Sequence, residues 1–369
     1  MNYNRLKNHV VELLGATGIT VNGKNPWDIQ VNHEDFYRRV LTHGSLGLGE
    51  SYMENWWECD QLDDFFYRVL RHDIEREVKK NPALIMDILL SRTINRQSRR
   101  RAFQVGERHY DLGNDLFRGM LDRRMAYSCG YWKDAVSLDE AQEKKLDLVC
   151  RKLGLKAGMK LLDIGCGWGS FAKYAAETYP VEVIGITVSK EQAEFGKTMS
   201  RSLPVDIKLQ DYRSISGKFD RVVSIGMFEH VGYKNYADFM KIVHKHLTDD
   251  GLFLLHTIGG NASVTSVNPW MNKYIFPNGM LPSMKQIGKA AEGLFVMEDW
   301  HNFGADYDKT LMAWHRNFEH IKSAYDDRFY KMWKYFLLSC AGAFRARNIQ
   351  LWQIVFSKKG LVGGYTSIR

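Results

Sequence analysis

Long hydrophobic runs and paired cysteines are both missing from the sequence, and each absence excludes a class of protein. No stretch approaches the roughly 18 uncharged apolar residues that a membrane-spanning helix needs. The five cysteines are scattered and form no Cys-x-x-Cys pair, which argues against a disulfide framework or a structural zinc site and favours a reducing compartment. The N-terminus lacks the apolar core of a signal peptide. We therefore expect a cytoplasmic protein without a metal centre.

Acidic side chains are in the minority. The 369 residues include 51 Lys and Arg against 43 Asp and Glu, which gives a formal charge of +8. A positive surplus indicates an anionic partner, and the composition does not choose between nucleic acid, acidic lipid and a phosphorylated substrate. Hydrophobic residues at 45% and charged residues at 25% are typical of a globular protein. The length predicts about two domains.

Arginine is concentrated in one short polar segment. Six arginines lie there: Arg92, Arg96, Arg99, Arg100, Arg101 and Arg108. A solvated run of charge is one explanation, and contact with an anionic surface is the other. We interpret residues 91–108 as a basic linker between a small, mainly helical N-terminal domain, 1–90, and a larger domain, 109–369. Within the first domain, the three glycines of LTHGSLGLGES predict a loop.

Strands and helices alternate regularly from residue 134 onward. The first helix has Ser137 and Glu140 at its start, as in a capping box, and Gly154 at its end. The predicted strands are 159–165, 181–187, 205–211, 219–226, 251–259, 295–303 and 348–358. Continuous apolar strands of this kind are typical of a parallel sheet that is covered on both faces. We predict an α/β, Rossmann-like sheet with helices on both faces, and an insertion at 260–282 that is a candidate lid.

The strongest single motif is the loop LLDIGCGWGSF at residues 161–171. A strand ends at Asp163, and Gly165, Gly167 and Gly169 follow before a helix. Glycines allow the backbone to turn tightly and to approach a ligand, and open α/β sheets bind ligands at the carboxyl ends of their strands. The pattern is GxGxG after an acid, not the dinucleotide fingerprint GxGxxG. It favours S-adenosylmethionine, with Asp163 either fixing the loop or facing the sulfonium.

The rest of the cofactor site is less clear from the sequence. The second strand ends at Thr187 without the usual acid for the ribose hydroxyls. Gln192, one turn into the next helix, either binds those hydroxyls or is only the capping partner of Ser189. Asp211 and Tyr212 follow the third strand, where adenine is usually held. The alternative for these two residues is a solvent-exposed turn.

Long motifs run through nearly the whole chain. They include HYDLGNDLF (109–117), AYSCGYWKDA (126–135), LDIGCGWGSFA (162–172), GMFEHVGYKNY (226–236), MNKYIFPNG (271–279), MEDWHNFGADYDKTLMAWH (297–315) and CAGAFRARNIQLWQIVFSK (340–358). Together they resemble the S-adenosylmethionine-dependent cyclopropane synthase family. The N-terminal run GLGESYMENWWEC resembles its cyclopropane-fatty-acyl-phospholipid synthases in particular.

The resemblance implies a C-methylation chemistry. Such an enzyme transfers the methylene derived from S-adenosylmethionine to a cis double bond of an unsaturated acyl chain in a membrane phospholipid. A cyclopropane ring and S-adenosylhomocysteine result, through a carbocation that bound bicarbonate deprotonates. The resemblance assigns the bicarbonate to Cys129, Glu229, His256, Ile258 and Tyr307, and it puts Tyr127 and Ser128 beside the cofactor.

The bicarbonate site can also be judged from its residue types. An anion needs donors, which His256, Tyr307 and the backbone amides at Cys129 and Ile258 can supply. Glu229 would repel an anion, so we expect it to take a proton or to orient His256. Without the resemblance, Glu229 or His256 would be the base itself, and Cys129 would be a small buried apolar residue.

The resemblance also implies partners. We expect peripheral association with the inner face of the cell membrane, with anionic lipid favoured by the arginine segment, and a homodimer. Nucleic acid is not expected, because the segment SIGMFEHVG after the fourth strand contains no proline of an (N/D)PPY-type loop. The alternatives are a nucleic-acid methyltransferase, a small-molecule methyltransferase and a lipid-binding module with an inactive catalytic fold.

Overall fold

The computed structural model describes residues 3–72 and 113–369. Its helices are α1 (Tyr3–Gly15), α2 (Phe36–Met53), α3 (Leu62–Arg71), α4 (Gly113–Met120), α5 (Leu138–Lys152), α6 (Ser170–Thr178), α7 (Lys190–Met199), α8 (Tyr236–His246), α9 (Pro269–Tyr274), α10 (Met284–Ala291), α11 (Ala305–Ile321) and α12 (Asp327–Arg345). Its strands are β1 (Gln30–Val31), β2 (Trp57–Glu58), β3 (Lys160–Ile164), β4 (Glu182–Thr187), β5 (Val205–Leu209), β6 (Phe219–Ile225), β7 (Leu247–Gly260), β8 (Val296–Asn302) and β9 (Ile349–Ser357). The predicted linker 91–108 lies outside the described residues.

The main sheet has seven strands in the order β5-β4-β3-β6-β7-β9-β8. The first five are parallel, which confirms the predicted Rossmann-like core. Strand β9 differs, because it runs antiparallel to both of its neighbours. Its apolar run is buried on both faces like that of a central parallel strand, and hydrophobic periodicity carries no information about strand direction.

The order of the strands determines where a ligand can bind. From β3 the chain proceeds outward through β4 and β5, and it then returns to the other side of β3 to form β6 and β7. The loops that leave β3 and β6 therefore diverge at the carboxyl edge of the sheet. A crevice at such a switch point is the usual ligand site of an open α/β sheet.

Local capping signals explain where the helices begin. Ser283 and Gln286 form the complete capping box of α10. At α5, the Ser137 hydroxyl accepts from the backbone N–H of Glu140, but the Glu140 carboxylate accepts from the N–H of Val136, so only half of a capping box forms. Gly154 follows the end of α5 with φ +57°, as predicted for a helix stop.

The predicted loop at LTHGSLGLGES is wrong. These residues continue α2, which is kinked at Gly44. The glycines serve close packing: a Cβ at Gly47 would overlap the Arg39 carbonyl, and one at Gly49 would overlap the Trp270 ring. Glycine therefore permits contact here and does not end the helix.

The chain divides into two compact units that are not contiguous in sequence. One comprises Met1–Met120, Val267–Asn278 and Leu311–Asn348, and the other comprises Leu121–Ser266, Gly279–Thr310 and Ile349–Arg369. Three described segments that we assigned to the larger domain, 113–120, 267–278 and 311–348, thus group with the N-terminal residues. Apolar packing explains the grouping, since the Tyr335 ring contacts Trp270 at 4.5 Å and Phe66 at 5.2 Å between centroids.

No helix within the two described ranges combines the length and the hydropathy required to cross a bilayer.

We predict that Gly342→Ala destabilises the first unit. Helix α12 approaches α3 so closely at Gly342 that an added Cβ would lie 2.6 Å from the Asp63 carbonyl oxygen. Overpacking of this kind costs about 1–3 kcal/mol, which a urea titration will detect as a lower unfolding midpoint. Gly288→Ala in α10 is the control, because nothing lies within 4 Å of its added Cβ. That change should be neutral or stabilising, and an equal loss in both variants would contradict the packing argument.

Candidate active site

The glycine loop after β3 forms an open backbone cradle. Gly165, Gly167 and Gly169 all have left-handed φ angles, between +56° and +83°. A Cβ at Gly165 would meet Met227 Cγ at 2.5 Å, whereas nothing lies within 4 Å of a Cβ at Gly167. The contact with Met227 therefore excludes any residue with a side chain at Gly165. At Gly167, a side chain would project into the open space that the loop leaves for a ligand.

A buried charged cluster involves Asp163. This side chain is 1% exposed, and its Oδ2 has no hydrogen-bond partner in the described part of the chain. Burial raises the pKa of Asp163 to about 7, and the charge of Lys145 opposes the rise. Lys145 is itself buried and donates from Nζ to Ser128 Oγ at 2.8 Å, and burial lowers its pKa to about 8. The unmet Asp163 oxygen fits a ligand that brings a hydrogen-bond donor.

The residues proposed for the ribose are already linked to one another. The Thr187 hydroxyl donates to Gln192 Oε1 at 2.9 Å, and the Ser189 hydroxyl accepts from the backbone N–H of Gln192 at 3.3 Å. Gln192 thus has the capping role through its backbone, while its amide lies beside the end of β4. The ribose-binding role of Thr187 and Gln192 stays a prediction.

The residues proposed for adenine differ from each other in exposure. Tyr212 is buried and its ring packs edge-on against Phe239 at 5.3 Å, so it does not lie in a solvent-exposed turn. Asp211 is less buried, and its carboxylate accepts from both the backbone N–H and the guanidinium of Arg213. Tyr127 is half-buried directly before Ser128. Their contact with a cofactor stays a prediction.

Glu229 follows β6, His256 lies within the neighbouring strand β7, and both are removed from water. Glu229 lies on a short 3₁₀ helix after β6, and its Oε1 accepts from the backbone N–H of Ile258 at 2.6 Å. Burial raises the pKa of Glu229 to about 7. His256 lies in β7 and is 1% exposed, and burial lowers its pKa well below 6.5. Glu229 Oε2 and His256 Nε2 have no hydrogen-bond partner within residues 3–72 and 113–369.

Two expectations for this pair need correction. The backbone N–H of Ile258 is not available to an anion, because Glu229 accepts it. The side chain that hydrogen-bonds His256 is not that of Glu229 but that of Gln353, whose Nε2 lies 3.3 Å from His256 Nδ1. The sheet register places Gln353 directly opposite His256.

Cys129 lies in a segment held by α11. Its Sγ is fully buried, 3.1 Å from the Gly130 carbonyl oxygen, and burial raises the pKa of the thiol well above 9. A thiol in such surroundings is no nucleophile. The Thr310 hydroxyl accepts from Gly130 N–H at 3.1 Å and from Trp132 Nε1–H at 2.9 Å. Thr310 thereby holds the Gly130 backbone and the Trp132 indole, on either side of Tyr131.

Phe303 connects the two parts of the candidate site. Its ring centroid lies 5.9 Å from that of His256 and 5.4 Å from that of Tyr131, two residues beyond Cys129. Tyr307 is buried in the first turns of α11, and the carboxylate of its neighbour Asp306 accepts from the backbone N–H of Trp132. All five residues assigned to bicarbonate therefore lie in the second unit. Four of them are buried, and the fifth, Ile258, is half-buried in β7.

Three further residues are functional candidates that we did not predict from the sequence: Lys145, Thr310 and Gln353. Lys145 and Thr310 are polar residues on helices, a pattern that ordinarily indicates solvent exposure, so no signal marks them. Gln353 had a signal, because it is the polar residue within the otherwise apolar run 351–356 of β9. A buried polar residue in such a strand needs a partner, and this requirement could have drawn attention to it.

Comparisons with known proteins agree on one family. Residues 97–354 match the mycolic acid cyclopropane synthetase family. The chain is 54% identical over 361 residues to the cyclopropane-fatty-acyl-phospholipid synthase of Escherichia coli strain K12, covering 97% of this chain and 94% of that protein. It is 37% identical over 267 residues to a probable fatty acid methyltransferase of Pseudomonas putida, covering 68% of each chain.

Solved structures resemble most of the chain. The cyclopropane synthase MmaA2 of Mycobacterium tuberculosis superimposes with a TM-score of 0.64 at 32% identity, over 72% of this chain and 100% of that one. The mycolic acid cyclopropane synthase CmaA1 complexed with SAH and CTAB gives a TM-score of 0.63 at 33% identity, over 71% and 99%. The Escherichia coli protein covers a larger share of this chain, 97%, than either structure does.

We predict that Glu229→Gln stabilises the unligated protein at alkaline pH. Burial raises the pKa of Glu229 from 4.5 to about 7, so ionising this side chain costs free energy only in the folded protein. This cost begins above pH 4.5, grows as the pH rises and reaches its full size above about pH 7. The amide cannot ionise, and it keeps an oxygen for the Ile258 N–H. The variant should gain up to about 3 kcal/mol near pH 8 and much less near pH 5.

Urea titrations at the two pH values measure this difference. Glu182→Gln, a change at an exposed glutamate of the same unit, should show little pH-dependent gain. A Glu229→Gln variant that is less stable than the wild type by the same amount at both pH values would contradict the argument.

Proposed function

The chain belongs to the mycolic acid cyclopropane synthetase family, and on that basis we propose that it makes cyclopropane fatty acyl phospholipids. The reaction takes a one-carbon unit from S-adenosylmethionine, adds it across a cis double bond of an unsaturated acyl chain and releases S-adenosylhomocysteine. The observation that carries the proposal is the pair of unpartnered buried atoms, Glu229 Oε2 and His256 Nε2, beside the carboxyl edge of the sheet. The 54% identity across 97% of the chain favours phospholipid over other lipids.

The glycine loop fits S-adenosylmethionine. The open space at Gly167 accommodates a ligand against the backbone, and the unmet Asp163 oxygen can accept from an ammonium group. When bound, S-adenosylmethionine supplies a sulfonium methyl that is electrophilic enough for an alkene to attack. We propose that the loop glycines, Asp163 and Ser128 hold its amino-acid end. Thr187 and Gln192 would bind the ribose, and Tyr127, Asp211 and Tyr212 the base.

The buried pair fits a small oxyanion such as bicarbonate. His256 is neutral, because burial and the charges of Lys145 and Lys152 lower its pKa, and a neutral imidazole can donate one N–H. Glu229 has a raised pKa, so it can hold a proton near neutral pH. Bicarbonate, when bound, supplies a base that is small enough for an enclosed site. We propose that Cys129, Ile258 and Tyr307 complete its surroundings.

The remaining task of the site is to keep water away from a cationic carbon. Attack of an alkene on a methyl group leaves positive charge on the acyl chain, and water would capture it. The wholly buried Cys129 and the nearly buried His256 indicate that little water reaches this region. The faces of Tyr131 and Phe303 can attract a nearby cation by roughly 0.5–2 kcal/mol each.

We also propose that the enzyme acts at a membrane surface and as a homodimer. The double bond of a phospholipid lies within the bilayer, so the acyl chain must pass from the membrane to the site. Basic side chains are attracted to anionic headgroups by about 1 kcal/mol each near the surface. The arginines of residues 92–101 and the net charge of +8 support this docking, and a dimer would double the contacts.

The direct test is a transfer assay with isotopically labelled S-adenosylmethionine and vesicles of unsaturated phospholipid. We expect the label in cyclopropane acyl chains, and none when the vesicles contain only saturated chains, because the reaction needs a double bond. Gas chromatography of the released fatty acids measures it. Label in RNA, DNA or small amines with none in lipid would identify another class of methyltransferase and contradict the proposal.

Paired variants separate binding from turnover. Gly167→Ala and Gly154→Ala introduce a side chain at nearly the same left-handed φ, +56° and +57°, with open space around each. Only the change at Gly167 should weaken S-adenosylmethionine binding, because only that residue lies in the ligand loop. Glu229→Gln and His256→Ala should lower turnover by roughly 10²-fold or more while cofactor binding persists. Equal loss of binding in both glycine variants would count against the assigned loop.

Vesicle docking should weaken as salt rises. Interactions between exposed charges are largely screened beyond about 10 Å at 0.1 M salt, so co-sedimentation with anionic vesicles should fall with ionic strength. A variant with Arg92, Arg96, Arg99, Arg100 and Arg101 changed to Gln should bind less and lose most of the salt dependence. Docking that is insensitive to salt would show that apolar contacts carry it.

A further inference from the structure

Three polar side chains form a row across the last three strands of the sheet. In the sheet register His256 of β7 faces Gln353 of β9, and Gln353 faces His301 of β8. Residues that are directly opposite in antiparallel strands project from the same face of the sheet. Gln353 therefore lies between two histidines, and it is 0% exposed. No mechanism described above uses Gln353.

The orientation of the Gln353 amide sets the direction of its hydrogen bond with His256. Gln353 Nε2 is an amide NH₂ group, which only donates, and it lies 3.3 Å from His256 Nδ1. Nδ1 must then be the acceptor. Because the buried imidazole is neutral, it carries a single proton, and that proton must be on Nε2.

The Nε2 atom of His256 is the one that the site leaves unpaired. It is buried and has no partner in the described residues, as is also true of Glu229 Oε2. With the proton on Nε2, the imidazole presents a donor to this region. With the proton on Nδ1, it would present a lone pair, which repels an oxyanion.

We infer that Gln353 is a positioning residue that holds His256 as the Nε2–H tautomer, so that its free N–H is ready to bind an oxyanion. The assignment of the tautomer follows from this contact, the orientation of the Gln353 amide and the neutral state of the imidazole. Its consequence for turnover rests on the proposed function. The second neighbour, His301, shows the same pattern, since its Nδ1 lies 3.0 Å from Lys152 Nζ, which donates in its ammonium form. Both histidines in the row thus have a donor opposite Nδ1.

The decisive measurement is the tautomer of His256 in the unligated protein. Protonated and unprotonated ring nitrogens of a neutral imidazole have distinct ¹⁵N chemical shifts and couplings, and protein labelled with ¹⁵N-histidine reports both. The His256→Ala variant assigns the signals by their loss. We expect a proton on Nε2 in the wild type, and a proton on Nδ1 would overturn the inference. This measurement needs no substrate.

The Gln353→Met variant tests the cause. Methionine has a similar shape and no N–H, so the preference for Nε2–H should weaken and Nδ1–H should become populated. Turnover should fall about tenfold to a hundredfold, the range seen when the partner that orients a functional histidine is removed. The bicarbonate concentration for half-maximal activity should rise, and the KM for S-adenosylmethionine should stay unchanged. An unchanged tautomer in a folded variant would overturn the inference.

Gln350→Met is the matched control. Gln350 is also a buried glutamine of β9, but its Oε1 accepts from Asn302 and not from His256. A change there perturbs the same strand, so an equal shift of the His256 tautomer would mean that Gln353 acts only through the fold. If the wild-type enzyme forms no cyclopropane lipid, the proposed function fails while the ¹⁵N spectra still decide the role of Gln353.

Discussion

The cost of holding ionisable groups out of water is the constraint on which the second unit depends. Four ionisable side chains are nearly or fully buried: Asp163, Lys145, Glu229 and His256. Burial shifts the pKa of each in the direction that favours its neutral form. A displacement of one pKa unit corresponds to about 1.4 kcal/mol, so these groups together oppose folding by several kcal/mol. The apolar strands beneath them, from Leu162 through Val223 to Leu254, offset that cost because they are almost completely removed from water.

The sheet brings together, at one edge, a cofactor loop and a set of polar side chains, both of which the proposed reaction needs. The loop after β3 leaves open space against its backbone, because its glycines have no side chains to fill the crevice. The segments after β6 and within β7 offer side chains whose polar atoms are left unpaired. The two loops diverge because the strand order reverses between β3 and β6. A ligand bound by the first loop therefore lies beside the second at the same edge of the sheet.

Patterns that are local in the sequence predicted most of this arrangement. The glycine loop, the apolar strands and the helix stop at Gly154 depend on neighbours within a few residues, and the structure has them where the sequence indicates. What depends on distant packing was missed. Lys145 is polar and helical, and only the packing of α5 against the sheet makes it buried. The grouping of 311–348 with the N-terminal residues depends on contacts such as that of Gly342 with Asp63, which are far apart in sequence.

The same burial resolves a difficulty with Glu229. A carboxylate beside a bound oxyanion would be repelled, which is why the sequence suggested a role in orienting His256. Since Glu229 Oε1 accepts from the Ile258 N–H, a proton on this residue would be on Oε2, the atom that lacks a partner among the described residues. With a pKa of about 7, Glu229 holds that proton much of the time near neutral pH, and a nearby anion would raise the pKa further. Glu229 and His256 would then both present donors, and repulsion would become attraction. In the proposed reaction, two groups that are ordinarily acceptor and base would thus form an oxyanion site, because the fold keeps water from both.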